Sequence, residues 1–272
     1  MHSQRVKSAL IFVPLVLIMI YLGGWAFNLF ISIVLLVAAV EYAQLFGKLG
    51  APPPLLSLLP GICLALGFRW FFDGQHLDLL LLIVLLLTAM TALIQYEQGV
   101  KSAALGFTVT FTGILYLGWA GSFFIAIRTL PNGLGWILTA LPTTWLVDSG
   151  AYYLGSWIGK SKMVPRLSPN KTWAGFAGGM AAGVISGVLL IMLWRLVGFL
   201  PTATPLWQGA VMGLVMGILS PIGDLLISLF KRSSGVKDTG NLIPGHGGFL
   251  DRIDTWIWAA MLGYFLVTML GW

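Results

Sequence analysis

The segment from Ser228 to Asp254 is the part of this chain best suited to chemistry. Aspartates lie within it or just before it: Asp224, Asp238, Asp251 and Asp254. Cations and a histidine accompany them: Lys231, Arg232, Lys237, His246 and Arg252. Ionisable groups beside a bilayer are costly unless they pair, bind a metal or line a watery cavity. This polar segment therefore indicates a chemical site.

The spacing within the polar segment favours a metal ion that holds a phosphate. Asp224 and Ser228 stand four residues apart, and Lys231 follows three residues later. On a helix this spacing places all three side chains on one face. Gly247 and Gly248 allow backbone N–H groups to approach a phosphate. Since Mg2+ prefers one or two carboxylates together with phosphate oxygens, the set predicts a Mg2+ polyphosphate site.

Some of these residues also have structural alternatives. Asp251 and Asp254 stand at i and i+3 where the last apolar segment begins, so either can cap that helix and complement its dipole. His246 can act as an acid, donate to a phosphate or serve only in a turn. The sequence has no Cys/His set for zinc and no P-loop, GxGxxG or GxSxG pattern.

A second polar segment, Gly159–Gly175, has cations and no acidic residue. Its cations are Lys160, Lys162, Arg166 and Lys171. The alternative interpretation is a positive loop that sets membrane topology. Asp148 lies in the preceding apolar segment, where a carboxylate implies a cation or metal partner. Ser168 or Asn170 is the expected N-cap of the next helix, and Thr172 also suits this turn.

The elements that must position these residues are membrane helices. Hydrophobic residues make up 58% of the chain and charged residues 9%, whereas a soluble domain has about 25% charged residues. The composition predicts an all-α, polytopic membrane protein with about nine transmembrane helices. The apolar segments are 8–22, 25–46, 54–72, 77–95, 103–127, 134–158, 173–200, 205–230 and 254–272. We expect one transmembrane domain, 1–272, with N-terminal membrane helices in 1–130 and a catalytic half in 131–272.

The distribution of charge predicts the topology. The net charge of +6 is spread between apolar segments, so nucleic acid is not an expected partner. With nine spans and the N-terminus inside, only Arg69, Arg128 and Arg195 among the basic residues fall outside. This topology places the loops 160–171 and 231–252 on the cytoplasmic side, where they can build one active site.

The polar segment resembles the signature of the phosphatidate cytidylyltransferase family. That signature is S-x-hydrophobic-K-R, four residues, K-D, then P-x-H-G-G-hydrophobic-x-D-R-hydrophobic-D, and every fixed position is present in Ser228–Asp254. Asp148–Tyr153 and Ser168–Gly175 resemble the family segments DSxAY and SPxKTxEG, with Ala174 at the usual Glu position. The N-terminal half matches mainly in hydropathy, apart from Glu41, for which the sequence suggests no role.

The resemblance implies a Mg2+-dependent nucleotidyltransferase of phospholipid biosynthesis, in the inner (plasma) membrane with its site facing the cytoplasm. It would transfer CMP from CTP to phosphatidate, giving CDP-diacylglycerol and pyrophosphate, and a homodimer is one state left open. The implied metal ligands are Asp224 and Asp251. The candidate catalytic residues are Asp224, Asp251, Lys231, Arg232, Lys237 and His246. The candidate substrate-binding residues are Asp148, Ser168, Lys171, Thr172, Ser228, Asp238, Gly247, Gly248 and Arg252.

Two other functions fit the same features. A different lipid–nucleotide enzyme, such as a CTP-dependent polyprenol kinase or a synthase that uses an ether-lipid phosphate, would share a metal and phosphate site. An ion or phosphate transporter would use the buried aspartates and cations as a translocation path. The concentration of charge on one side of the membrane, away from its midplane, counts against transport.

Overall fold

The computed structural model describes residues 2–240 and 247–272, with side chains described for residue 10 and from residue 12 onward. The helices are α1 (His2–Leu22), α2 (Gly24–Gly47), α3 (Leu55–Phe72), α4 (Leu77–Glu97), α5 (Ala103–Gly113), a π-helix (Ile114–Ala120), α6 (Phe123–Thr129), α7 (Gly133–Ile158), α8 (Trp173–Val197), α9 (Leu206–Leu219), α10 (Pro221–Ser233) and α11 (Leu250–Met269). Two short strands, β1 (Lys162–Val164) and β2 (Ser168–Thr172), lie between α7 and α8. The predicted helical class is confirmed.

Within the described residues, six helices are long and apolar enough to cross a membrane. They are Gly24–Gly47, Leu55–Phe72, Leu77–Glu97, Ala103–Thr129, Trp173–Val197 and Leu206–Ser233. The chain is therefore a multi-pass membrane protein, but the predicted count of nine is not confirmed. All nine predicted segments are helical. Three predicted segments, 8–22, 134–158 and 254–272, fall outside the six, and the last two contain Asp148 and Asp254.

Proline does not interrupt α3 or α7. Pro60 lies inside α3 and Pro142 inside α7, and both helices continue through it. In a membrane protein, neighbouring helices and side chains can satisfy the backbone group that a proline releases.

The chain divides into two compact units. The first unit comprises Met1–Ala126 and Phe230–Arg252, and the second comprises Ile127–Leu229 and Ile253–Trp272. Most of the polar segment, Phe230–Arg252, falls in the unit that contains the N-terminal helices. The predicted division into N-terminal membrane helices and a catalytic half stays a prediction.

In the first unit, α2 forms the surface against which the polar segment lies. The rings of Tyr42 and Phe46 contact Phe230, with centroids 6.3 and 5.0 Å away. The Ser234 hydroxyl donates to the Leu45 carbonyl oxygen at 3.1 Å. Aromatic contacts of this kind add to the free energy gained by burial. As a result, α2 holds the beginning of the polar segment in place.

In the second unit, α7, α8 and α9 pack closely through glycines. A Cβ atom added at Gly183 or Gly187 of α8 would overlap the backbone of α9 at Gly213 or Gly209. Gly150 of α7 similarly approaches the backbone of α8. Small residues let membrane helices approach closely enough for extensive van der Waals contact. This packing fixes the distance between α7 and α8, the two helices that the strands connect in the sequence.

The strands β1 and β2 form an antiparallel hairpin, an exception to the all-helical prediction. Thr172, the last residue of β2, is the N-cap of α8, because its Oγ1 accepts a hydrogen bond from the Gly175 N–H at 3.0 Å. The predicted cap at Ser168 or Asn170 is wrong, since both residues lie within the strand. The backbone pairing of the hairpin carries the chain past them before the helix begins.

Candidate functional site

Lys171 and Asp224 form an ion pair in the second unit. The Lys171 Nζ atom lies 2.7 Å from Asp224 Oδ2. Lys171 belongs to β2, and Asp224 lies in the first turn of α10, where a helix favours a negative charge. The Lys171 side chain is 26% exposed and that of Asp224 is 36% exposed. Both groups can therefore contact a ligand without large movement of the backbone.

Ser228 lies beside Asp224, as the predicted helical spacing required. Its hydroxyl is 3.4 Å from Asp224 Oδ1, a long hydrogen bond that joins successive turns of α10. The Ser228 residue is buried. In this arrangement the serine orients the aspartate, and its contact with substrate stays a prediction.

A pocket of about 270 Å³ includes Lys171 in its wall. Predicted site residues that line this pocket are Asp148, Ser168, Lys171 and Thr172. Much of the remaining wall is apolar or aromatic, including Tyr152, Met163 and Phe176. A concave wall that combines apolar surface with a few charged groups is typical of a ligand site. The structure thus brings Asp148 together with residues of the second polar segment. The cation that was expected near Asp148 is Lys171, which lines the same pocket.

Asp251 is the centre of a cluster in the first unit. Its side chain is 5% exposed and lies in the first turn of α11. Oδ1 lies 2.6 Å from the Lys231 Nζ atom. Oδ2 accepts from the Thr239 N–H at 2.8 Å, the Thr239 hydroxyl at 2.9 Å and the Gly248 N–H at 3.2 Å. Asp251 is therefore held at both oxygens.

These contacts keep the Asp251 carboxyl ionised. Burial raises the pKa of this group, but hydrogen bonds from Lys231, Thr239 and Gly248 and the lysine charge together outweigh it. The net pKa lies below the ordinary value of an aspartate. A carboxylate, which can donate electron pairs to a cation, is thus present at neutral pH.

Glu41 belongs to the same cluster and was missed by the site prediction. It lies in α2, is 1% exposed, and accepts hydrogen bonds from the Thr239 hydroxyl at 3.0 Å, the Phe249 N–H at 3.0 Å and the Leu250 N–H at 2.9 Å. The available signal was a glutamate in an apolar segment, which is costly unless other groups satisfy it. No motif connected it with the polar segment.

The predicted glycines make room for carboxylates. Gly247 has a φ of +78°, and a Cβ atom there would lie 2.9 Å from Asp251 Oδ2. A Cβ atom at Gly248 would overlap the Glu41 carboxylate and the Thr239 hydroxyl. The Gly248 N–H donates to Asp251 in this structure. The contacts of both glycines with a phosphate stay a prediction.

The remaining predicted residues of the polar segment are four exposed residues and His246. Four side chains are exposed, Arg232, Lys237, Asp238 and Arg252. Exposed cations are accessible to a phosphate-bearing ligand from the solvent, and these contacts stay a prediction. His246 lies outside the described residues, so its predicted catalytic role stays a prediction.

Asp254 has a different position from the one that the sequence indicated. It was expected at the start of the last helix, but α11 begins at Leu250, so this boundary is wrong. Asp254 is buried inside the helix, and its Oδ1 accepts from the Thr255 N–H at 2.7 Å. The helix begins earlier because Glu41 satisfies the Phe249 and Leu250 N–H groups. Asp254 is therefore not the N-cap.

Comparison with known proteins agrees with the family that the motifs indicate. Residues 3–270 match the model of the cytidylyltransferase family. The chain belongs to this family. It is 34% identical over 273 aligned residues to the phosphatidate cytidylyltransferase of Bacillus subtilis, with 98% of each chain covered. It is 31% identical over 301 aligned residues to that of a Synechocystis species, covering 99% of this chain and 98% of the relative. The phosphatidate cytidylyltransferase of Staphylococcus haemolyticus is 34% identical over 267 residues, with 96% of each chain covered.

The donor set of this cytidylyltransferase-family chain fits a metal ion that a phosphate-bearing substrate helps to hold. Within the described residues, no three His, Cys, Asp or Glu side chains converge on a site that could hold a metal by itself. Mg2+ commonly uses one or two carboxylates and substrate phosphates. Asp224 fits best because it is partly exposed and its Oδ1 makes only a long contact. Asp251 retains unused acceptor capacity at Oδ1.

Proposed function

We propose that this protein is a phosphatidate cytidylyltransferase, which transfers CMP from CTP to phosphatidate and gives CDP-diacylglycerol and pyrophosphate. The observation that carries this proposal is the match to proteins of that name over 96–99% of the chain. This match includes the N-terminal helices, in which no sequence motif indicates the family. The paired carboxylates and lysines are suitable groups for joining two phosphate-bearing substrates.

The reaction needs charge neutralisation and alignment more than a strong base. A phosphate monoester has a second pKa of about 6, so the lipid phosphate is largely dianionic at neutral pH. One of its oxygens attacks the α-phosphorus of CTP, and the bond from that phosphorus to the bridging β-phosphate oxygen breaks. Pyrophosphate leaves with the bonding electron pair. The protein must hold two anions in line and reduce their repulsion.

Basic residues of each polar segment are assigned to phosphate contacts. Lys171 supplies a partly exposed ammonium group in the pocket of the second unit. In the first unit, Lys231 lies on Asp251, and Arg232, Lys237 and Arg252 are exposed. Cations placed where charge develops lower the barrier of phosphoryl-type transfers. Asp148 lines the pocket of Lys171 and is assigned to orienting that cation or the nucleotide.

We propose Mg2+ as the cofactor, with Asp224 and Asp251 as its protein ligands. The support is chemical: Asp224 is a partly exposed carboxylate, and Asp251 is an ionised one with acceptor capacity left. When bound, Mg2+ would neutralise charge on the nucleotide phosphates. Lys171 and Lys231 keep the two carboxylates oriented.

The proposed location is the inner (plasma) membrane, with the active site facing the cytoplasm. Multiple apolar helices and the bacterial relatives support a multi-pass membrane enzyme. The distribution of basic residues between the apolar segments favours the cytoplasmic orientation. CTP, a soluble nucleotide, would reach the site from that side.

Product analysis tests the proposed function. Purified protein in detergent or vesicles is incubated with phosphatidate, CTP labelled in the cytidine and in the α-phosphate, and Mg2+. The expected products are a lipid that carries cytidine and the α-phosphate, together with an equal amount of pyrophosphate. A parallel reaction replaces phosphatidate with diacylglycerol or a polyprenol. Release of CDP with phosphorylation of either alcohol would identify a kinase and refute the proposal.

A further inference from the structure

Glu41 places a carboxylate inside a helix that is apolar enough to cross the membrane. It is 1% exposed, so water does not solvate it. A buried carboxylate persists only when hydrogen bonds compensate for its desolvation. All three donors that satisfy it come from the polar segment, far along the chain from α2. Glu41 therefore joins an N-terminal membrane helix to the segment that carries Asp251.

Two of these hydrogen bonds hold the start of α11. The first N–H groups of a helix have no partner within the helix and need an external acceptor. Glu41 Oε1 accepts from Phe249 and Oε2 accepts from Leu250, the first residue of α11. The carboxylate thus acts as an N-cap supplied by another helix. Asp251 is the next residue, so its backbone position depends on this cap.

The third hydrogen bond reaches Asp251 through Thr239. The Thr239 hydroxyl lies 3.0 Å from Glu41 Oε2 and 2.9 Å from Asp251 Oδ2. The hydroxyl has one proton and both carboxylates are acceptors, so it donates to one of them at a time while lying within hydrogen-bond distance of both. The Thr239 N–H donates to Asp251 at 2.8 Å. Glu41 therefore acts on both the backbone and the side chain of Asp251.

The glycines of the polar segment permit this arrangement. A Cβ atom at Gly240 would lie 2.7 Å from Glu41 Oε1, and one at Gly248 would overlap the carboxylate itself. Any larger residue at either position would displace Glu41 or the loop. The close approach shows that the polar segment is shaped around this glutamate.

We propose that Glu41 is a positioning residue for the transfer reaction, holding Thr239 and the first turn of α11 so that Asp251 is presented in its working orientation. The role of Asp251 rests on the proposed function, whereas the hold of Glu41 on α11 is independent of it. Glu41 does not contact substrate. It acts through Thr239 and Asp251.

The test compares Glu41→Gln with the wild-type chain in the same detergent. Glutamine keeps the size of the side chain but replaces one acceptor oxygen with an NH2 donor. In either orientation that NH2 group faces a backbone N–H of Phe249 or Leu250. Amide hydrogen exchange at these two residues should become about tenfold faster, the scale of a lost cap. The turnover number should fall by roughly tenfold to a hundredfold, because a small misplacement of a group in the active site, here Asp251, strongly lowers the rate of the chemical step. The KM for CTP should change by less than about threefold, since Glu41 contacts no substrate.

Two further variants separate positioning from general stability. Glu97→Gln makes the same chemical change at an exposed residue of α4 and should leave exchange and turnover within about twofold of wild type. Thr239→Val removes the bridging hydroxyl and keeps both backbone caps, so turnover should fall while exchange at Leu250 stays unchanged. The double variant Glu41→Gln, Thr239→Val should be no worse than about threefold below Glu41→Gln, because both substitutions act by displacing the same residue, Asp251.

Several results would overturn the proposal. One is an exchange rate and a turnover number of Glu41→Gln that both stay within twofold of wild type. Another is faster exchange with unchanged turnover, which would limit Glu41 to stabilising the helix. Fully multiplicative losses in the double variant would also exclude a shared action through Asp251. If Glu41→Gln does not fold, unchanged turnover in Thr239→Val overturns the proposal by itself. Wild-type protein with no transferase activity would refute the proposed function, and the exchange measurement would still decide whether Glu41 holds α11.

Discussion

Lys171 Nζ lies 2.7 Å from Asp224 Oδ2, which joins the end of the β1–β2 hairpin to the first turn of α10. The pair remains partly exposed, so water weakens it and its contribution to stability is small. Its position beside the pocket that Lys171 lines is better explained by ligand binding. In such a pair, the cation can contact a phosphate and the carboxylate can bind the metal ion that accompanies the phosphate.

Asp224→Asn is expected to lower the turnover number by at least roughly a hundredfold, the scale of one lost electrostatic contact to a transition state. Asparagine keeps the shape of the side chain and removes the charge that Lys171 and Mg2+ would meet. The measurement is the rate of CDP-diacylglycerol formation over a range of Mg2+ concentrations. Asp78→Asn, the same change at an exposed residue of α4, is the control. Near-normal turnover and Mg2+ dependence in Asp224→Asn would exclude Asp224 as a ligand.

Asp251→Asn and Asp254→Asn are expected to differ. Asp251→Asn should lower turnover by at least roughly a hundredfold, since the carboxylate faces Lys231 and is the proposed metal ligand. Asp254 lies inside α11 and accepts a hydrogen bond from its neighbour Thr255. Its replacement should cost less activity and leave the Mg2+ dependence unchanged. The assignment of the two aspartates is reversed if Asp254→Asn abolishes Mg2+-dependent turnover and Asp251→Asn does not.

The contribution of Asp251 to stability should depend on pH only in acid. Its pKa is lowered in the folded chain, whereas an unfolded aspartate titrates near about 3.9. A lowered pKa adds stability that is present above the unfolded value and is lost as the pH falls through the folded value. The difference in thermal midpoint between wild type and Asp251→Asn should therefore be constant from about pH 5 to pH 8 and shrink below about pH 4. A difference that grows in acid contradicts the hydrogen-bonding pattern at Asp251.

Impermeant thiol reagents can test the predicted orientation. Single cysteines at Ser161 and Ser233, which are both exposed, are introduced into a Cys63→Ala background. Ser161 precedes β1, and Ser233 ends α10. Because basic residues favour the cytoplasmic ends of spans, both cysteines should react only from the cytoplasmic face. Labelling of the two positions from opposite faces would separate the two polar loops.

Composition and local spacing determined the class of this protein. Apolar runs of membrane length indicated a polytopic helical chain, and the fixed positions between Ser228 and Asp254 indicated the family. The same local reasoning placed Asp224 and Ser228 on successive turns of one helix, which the structure has. These properties depend on residues close in sequence, whose geometry a regular helix sets.

Only the tertiary structure decided which charges meet. The partner of Asp251 is Lys231, that of Asp224 is Lys171, and Glu41 caps a helix that begins 209 residues later. The start of α11 and the N-cap of α8 were mispredicted for the same reason, since acceptors from outside the helix and a strand pairing set those boundaries. Long-range contacts follow from the packing of helix faces, and a chain with nearly uniform hydropathy carries little local information about which faces pack together.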